Sequence, residues 1–304
     1  MAQVRTSLPF DQTQFNLNTL YFGQTVFRDN GYIQVGGTAY EDMGLVSYSG
    51  ADGLAYANLI GGQGLVADSG GAVVAGKITG FFQAAGLSAA QYYDQLLLTG
   101  ISITGAEFRR ASLTAGTADD QALLGKALAG NDRFDLGNFS DRMQGRTGHD
   151  SMYGNGGNDT LEGGIGNDSL FGGTGADRLI GGTGMDRLTG GAGADLFIFN
   201  ATAELGLVAW ASDTITDFTA GTDRINLSGI DAMTGTAGNQ AFVFKGSTGI
   251  GTGAEGEISV QIYDRDGTAD DVTLIRIDTD PDRDAEAVIR LAGLHDLTAA
   301  EFIL

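Results

Sequence analysis

Aspartate recurs every nine residues at Asp132, Asp141, Asp150, Asp159, Asp168, Asp177, Asp186 and Asp195. From Gly145 the chain reads GRTGHDSMY, GNGGNDTLE, GGIGNDSLF, GGTGADRLI, GGTGMDRLT and GGAGADLFI without a gap. Asp132 and Asp141 belong to two degenerate repeats in the same phase. Carboxylates at a fixed spacing are brought together wherever a backbone repeats itself, and stacked like charges need a cation between them. The ligands on offer are oxygens: the chain has no Cys, and within the repeats only His149 brings a side-chain imidazole. That set disfavours zinc and copper. It suits Ca²⁺, which takes about 6–8 oxygens, carboxylate and carbonyl alike, at about 2.3–2.6 Å.

The elements that would position these groups follow from the rest of each repeat. Six Gly-rich residues make a tight turn, because Gly reaches backbone angles closed to other residues. Three residues then form a short strand whose central side chain points inward: Phe134, Met143, Met152, Leu161, Leu170, Leu179, Leu188 and Phe197. Two repeats close one coil, so inward residues stack into a thin core. Each Asp then lies over the one 18 residues on, Asp132 over Asp150 through to Asp177 over Asp195. The six pairs predict several Ca²⁺ ions, about one for each pair.

The repeats resemble the Gly-Gly-x-Gly-x-Asp-x-apolar-x units of the RTX (repeats-in-toxin) family. The resemblance implies that carbonyls at the second and fourth repeat positions join the carboxylates. Here those carbonyls include Gly157, Gly164, Gly166, Gly173, Gly175, Gly182 and Gly184. Asn138 and Phe139 depart from the pattern and weaken the first site.

After the repeats, DTITDFTAGTDRINLSGI alternates apolar positions (Ile215, Phe218, Ile225, Leu227), predicting strands that cover the open end of the roll. This stretch resembles the C-terminal domain of serralysin-type secreted proteases. Asp213, Asp217 and Asp223 match its acidic positions, either as calcium ligands or as turn caps. Further on, Asp278, Asp280 and Asp282 alternate in a loop, which is calcium chemistry in principle. The serralysin-like pattern has an acidic, Gly-containing loop here. This chain has Pro281 and Arg283 and no Gly, so a solvated acidic turn is the alternative. The tail, Leu297 to Leu304 with Glu301 before an apolar end, resembles the C-terminal export signal of type I secretion substrates.

Residues 1–129 carry no nonapeptides. Strands are expected near residues 21–35, 45–49, 54–60 and 72–79. Ser88 with Gln91 and Thr104 with Glu107 read as capping boxes, the first opening a helix that Gly100 closes. A further helix is expected from Asp120 to Ala129. The predicted organisation is thus mainly β. A small mixed α/β domain spans 1–129, a parallel β-roll 130–199, and a C-terminal β cap with the export signal 200–304.

Composition narrows the function. A net charge of −21 argues against nucleic acid and anionic membranes as partners. No apolar run is long enough for a membrane span. The N-terminus lacks the apolar stretch of a secretory signal, which the C-terminal resemblance explains. There is no HExxH helix and no GxSxG elbow, and nothing pairs Asp42, Asp52, Asp68 or Glu107 as catalytic carboxylates. The expectation is a non-enzymatic calcium-binding protein, exported by type I secretion machinery to the cell surface or beyond. It would act as a calcium-dependent, self-assembling component of a surface layer, filament or biofilm matrix. One alternative is an adhesin or lectin-like protein binding cell-surface glycans. Another is a small hydrolase whose catalytic domain lies in residues 1–129.

Overall fold

The structure is a computed structural model of the 304-residue chain. It describes residues 125–246, 256–264, 271–280 and 285–304, together with the backbone of eight strands between residues 3 and 104. The chain divides into two compact units, Met1–Arg142 and Met143–Leu304.

The described part of the first unit is built from strands: β1 (Gln3–Thr6), β2 (Thr25–Arg28), β3 (Ile33–Val35), β4 (Thr38–Tyr40), β5 (Asp42–Ser49), β6 (Ala55–Ala67), β7 (Val73–Gly86), β8 (Tyr92–Thr104) and β9 (Arg133–Asp135). Their order is β9-β1-β8-β7-β6-β5-β2, with β3 and β4 paired apart. β9 runs parallel to β1, and the other neighbours are antiparallel. The strands expected near 21–35, 45–49, 54–60 and 72–79 coincide with β2, β3, β5, β6 and β7.

The helix expected after Ser88 is corrected by β8. Ser88 and Gln91 lie outside the described residues. The run Tyr92 to Thr104 combines aromatic and β-branched residues, which favour strands. β8 also finds a partner on each side, pairing Leu98 with Phe81 and with Val4. Tertiary pairing therefore overrides the capping signal. Of the expected Asp120–Ala129 helix, one turn at 125–127 is described, and Gly130 follows it at φ +107°. Residues 105–124, with Glu107 and Asp120, lie outside the described residues.

The second unit is the roll. β10 (Arg142–Thr147), β12 (Thr160–Ile165), β14 (Arg178–Thr183), β16 (Leu196–Ile198) and β18 (Arg224–Asn226) follow one another in one sheet. β11 (Ser151–Gly156), β13 (Ser169–Thr174), β15 (Arg187–Ala192) and β17 (Thr214–Ile215) follow one another in the other. Neighbours are parallel, and within the repeats each residue pairs with the one 18 further on, as Leu170 does with Leu188. Consecutive nonapeptides thus alternate between two faces, and every second one stacks. Met152, Leu161, Leu170, Leu179, Leu188 and Phe197 have no exposed surface. Each buries an apolar side chain worth about 1.5–3 kcal/mol.

The segment expected to cover the roll instead extends it. β17 lies parallel on β15, pairing Ile215 with Leu188, and β18 lies parallel on β16, pairing Ile225 with Phe197. Ile215, Phe218, Ile225 and Leu227 are buried. Beyond them come β19 (Val243–Phe244), β20 (Glu257–Tyr263), β21 (Val272–Asp278), β22 (Ala287–Ala292) and β23 (Phe302–Ile303). β20, β21 and β22 form an antiparallel meander whose last strand pairs with β17. β23 adds to β18, pairing Phe302 with Ile225.

Candidate metal centre

Each repeat aspartate stands where the turn enters the strand, and in the second unit its carboxylate faces the neighbouring coil. The backbone N–H of Asp150 donates to Oδ1 of Asp168 at 2.7 Å, and that of Asp159 to Asp177 at 2.8 Å. Asp168 donates likewise to Asp186 at 2.7 Å, and Asp177 to Asp195 at 3.0 Å. The ladder continues past the repeats: the Asp186 N–H donates to Oδ1 of Asp213 at 2.8 Å, and the Asp195 N–H to Oδ1 of Asp223 at 3.0 Å. Asp213 and Asp223 are therefore further rungs, at spacings of 27 and 28 residues instead of 18.

The second carboxylate oxygen is treated differently. Oδ2 of Asp168, Asp177, Asp186, Asp195 and Asp213 is buried, and no donor among the described residues reaches it. A buried ionised oxygen left without a donor or a cation is costly. Against that of Asp168, Asp177, Asp186 and Asp195 lies the first glycine of the same repeat. A Cβ on Gly172 would collide with Oδ2 of Asp177 and with the carbonyl of Gly190, so this cradle admits no side chain.

The glycines expected to lend carbonyls line the turns of the same coils. The carbonyls of Gly157, Gly164, Gly166, Gly173 and Gly175 each abut the α-carbon of the residue 18 further on. Gly182 and Gly184 receive those of Gly164 and Gly166 in this way. Gly184 has φ +147° and so close an approach to the Gly166 carbonyl that only glycine fits. Where the second repeat position is not Gly, Arg146 and Asn155 adopt φ of 79° and 69°, and their carbonyls take the same place. The repeat pattern marks glycine at this position and so does not single these two out.

Electrostatics follow from the burial. Burial, more than any other influence, raises the carboxyls of Asp168, Asp177 and Asp223 above the ordinary range. Asp195 is pushed up to about 6 by burial, then by the charges of Asp223, Asp177 and Asp217. Asp186 rises to about 7 through burial and the charges of Asp168 and Glu204. Asp213 rises to about 8 through burial and the charges of Asp186, Glu204 and Asp168. Glu204 thus faces the end of the ladder, and nothing in the nonapeptide pattern pointed to it. Asp213 was legible: Asp213-Thr-Ile215 and Asp223-Arg-Ile225 repeat the Asp-x-apolar triplet of the nonapeptides behind longer loops.

The other candidates separate. Both oxygens of Asp217 accept backbone N–H bonds, from Gly190 at 2.9 Å and from Gly191 at 2.8 Å, so it closes the last nonapeptide turn. Asp132 and Asp141 are buried in the first unit, where Asp141 Oδ2 accepts from Gly137 N–H at 3.2 Å. Phe139, in the place of the repeat glycine, is exposed. Asp278 and Asp280 lie together at the end of β21, whereas Asp282 falls outside the described residues. His149 accepts from Asn167 N–H at 2.7 Å, the place Asn158 and Asn167 fill in the following repeats.

The described second unit is therefore a two-faced parallel β-roll with a ladder of buried carboxylates at its turns. The family model for the Peptidase M10 serralysin C terminal matches residues 106–304, and the chain belongs to that family. No curated protein matches it. Among solved structures it is similar to the AlgE6R3 subunit of the Azotobacter vinelandii mannuronan C5-epimerase, with 24% identity over 58% of this chain and 78% of that one, at a TM-score of 0.32. It is also similar to the AlgE6R2 subunit of that epimerase, with 28% identity over 58% and 92%, at a TM-score of 0.31. Both come from an enzyme, against the expectation that the chain is non-enzymatic. The RTX-type repeats mark a calcium-binding family. Among the described residues no helix is long and apolar enough to cross a membrane.

Proposed function

We propose that the roll binds a file of Ca²⁺ ions between successive coils and that calcium drives its folding after export from the cell. The carrying observation is the row of buried Oδ2 atoms on Asp168, Asp177, Asp186, Asp195 and Asp213. Each belongs to a carboxylate whose other oxygen accepts a backbone N–H from the preceding coil. Carbonyls such as those of Gly164, Gly166, Gly173 and Gly175 lie in the same turns and complete an all-oxygen donor set. Asp223 and Glu204 extend the set at the far end. A bound Ca²⁺ would supply the positive charge that these carboxylates lack. The residues' own part is to hold the oxygens in register and to keep the turns free of side chains.

Export precedes folding in this reading, because the tail that resembles an export signal is itself the last strand, β23. Cytosolic calcium is too scarce for the weak sites expected of extracellular modules, with Kd about 10⁻⁴–10⁻³ M. Outside, binding would be folding free energy. This reading takes residues 1–129 as a separate domain, 130–199 as the nonapeptide roll and 200–304 as its extension, whereas the compact units divide after Arg142. At the cell surface the calcium-stapled roll would act as a self-assembling structural component, its exposed outer faces meeting copies of itself or cell-surface glycans.

The direct test is circular dichroism of the full chain in chelator and then in millimolar calcium, with light scattering on the same samples. A gain of β signal with calcium is expected, followed by chelator-reversible growth in mass. A chain equally folded in chelator at neutral pH would reject calcium-driven folding. A folded monomer that stays monomeric would reject self-assembly alone.

A further inference from the structure

A second group of carboxylates lies outside the roll, where β20 and β21 meet. Their register sets Glu257 directly opposite Asp278. Asp278 has no exposed surface and Glu257 has 1%. Like charges facing each other across a strand pair are destabilising, and burial sharpens the cost. Glu286 stands just before β22, where its Oε2 accepts from Thr279 N–H at 2.5 Å. The Asp280 N–H donates to Oδ1 of Asp278 at 3.3 Å. These contacts draw Asp278, Asp280 and Glu286 together, one oxygen of each lying within 4.8 Å of the others.

Independently of the cluster, Asp278 Oδ2 is buried with no donor among the described residues. Lys245 pairs with Glu257 at 3.1 Å. Burial, then the charges of Glu286, Asp280 and Glu257, push the Asp278 carboxyl up to about 6.

We propose that Asp278, Asp280 and Glu286, with Glu257 behind them, hold a Ca²⁺ ion of their own that fastens the end of β21 to the start of β22. The donor set is oxygen alone, which suits a hard cation. A divalent cation would offset the like charges that Glu286, Asp280 and Glu257 set against Asp278. The site stands apart from the ladder: it uses no glycine turn, and its acids come from the meander.

The test counts calcium bound per full-length chain by equilibrium dialysis at saturating calcium, with folding followed by circular dichroism. Asp278→Asn is expected to bind one ion fewer while the roll gains its β signal at the calcium concentration the unaltered chain needs. An unchanged count overturns the proposal, and so does the loss of several ions. Should Asp278→Asn fail to fold, Glu286→Gln, at a half-buried position, gives the same readout with the same two outcomes. Asp177→Asn serves as the control for the ladder. If it loses no ion, the reading of the roll fails while the count at Asp278 is still decided.

Discussion

Asp177 and Asp217 are both aspartates on a Gly-rich roll, yet their surroundings divide them. Asp217 spends both oxygens on the N–H groups of Gly190 and Gly191, whereas Asp177 keeps Oδ2 buried beside Gly172 with no donor. Asp217→Ala removes two charge-assisted hydrogen bonds from a turn and should lower stability by about 1–3 kcal/mol. Calcium stoichiometry should stay the same, which calorimetric titration beside a thermal melt would show; a lost ion would make Asp217 a ligand. Asp177→Asn keeps an oxygen for the Asp159 N–H and removes the charge. It should weaken calcium binding while making the chelated protein no less stable. The nonapeptide spacing made the ladder visible in sequence, because each rung repeats a triplet at constant distance. It could not tell a ligand from a cap, since that depends on which N–H groups the fold brings within reach.

At the scale of elements, regular repetition was legible and interrupted repetition was not. β11 to β16 follow from the period, and their inward residues were named from sequence. β17 and β18 read as a cover because loops of different length separate Ile198, Thr214 and Arg224, which breaks the period without breaking the stacking. β8 carries a local capping signal that favours a helix, and its two strand partners, distant in sequence, override it. Glu204 and Glu286 were missed because neither belongs to a repeat; each is brought to its acidic neighbours only by the chain's return. If β17 is a true rung, Asp213→Asn should cost the roll as much calcium affinity as Asp186→Asn does, which calcium titrations of both variants would compare. A silent Asp213→Asn would leave the roll ending at Asp195. Leu188, buried where β15 pairs with both β13 and β17, should cost roughly 2–5 kcal/mol when cut to Ala, read from denaturant unfolding in saturating calcium.

For the whole molecule, the same carboxylates make stability depend on pH in opposite ways with and without metal. In the calcium-free fold, burial raises Asp195 to about 6, Asp186 to about 7 and Asp213 to about 8, against about 3.9 in an unfolded chain. The folded state therefore binds protons more tightly than the unfolded one. Its stability from these groups is fully present below about pH 4 and is lost as pH rises through about 6 to 8. The net charge of −21 at neutral pH adds self-repulsion in the same direction. Calcium takes the protons' place, so its affinity should climb over that same range. In chelator the protein should then melt higher at about pH 5 than at about pH 8, and millimolar calcium should shrink or reverse the difference. Asp213→Asn separates local burial from overall charge, because it removes the most strongly raised of these carboxyls and one unit of the total. In chelator that variant should lose a distinct share of the pH dependence between about 6 and 8. A melting temperature that rises with pH in chelator would mean the buried carboxylates are ionised and satisfied without metal, and calcium would not be what holds the coils together.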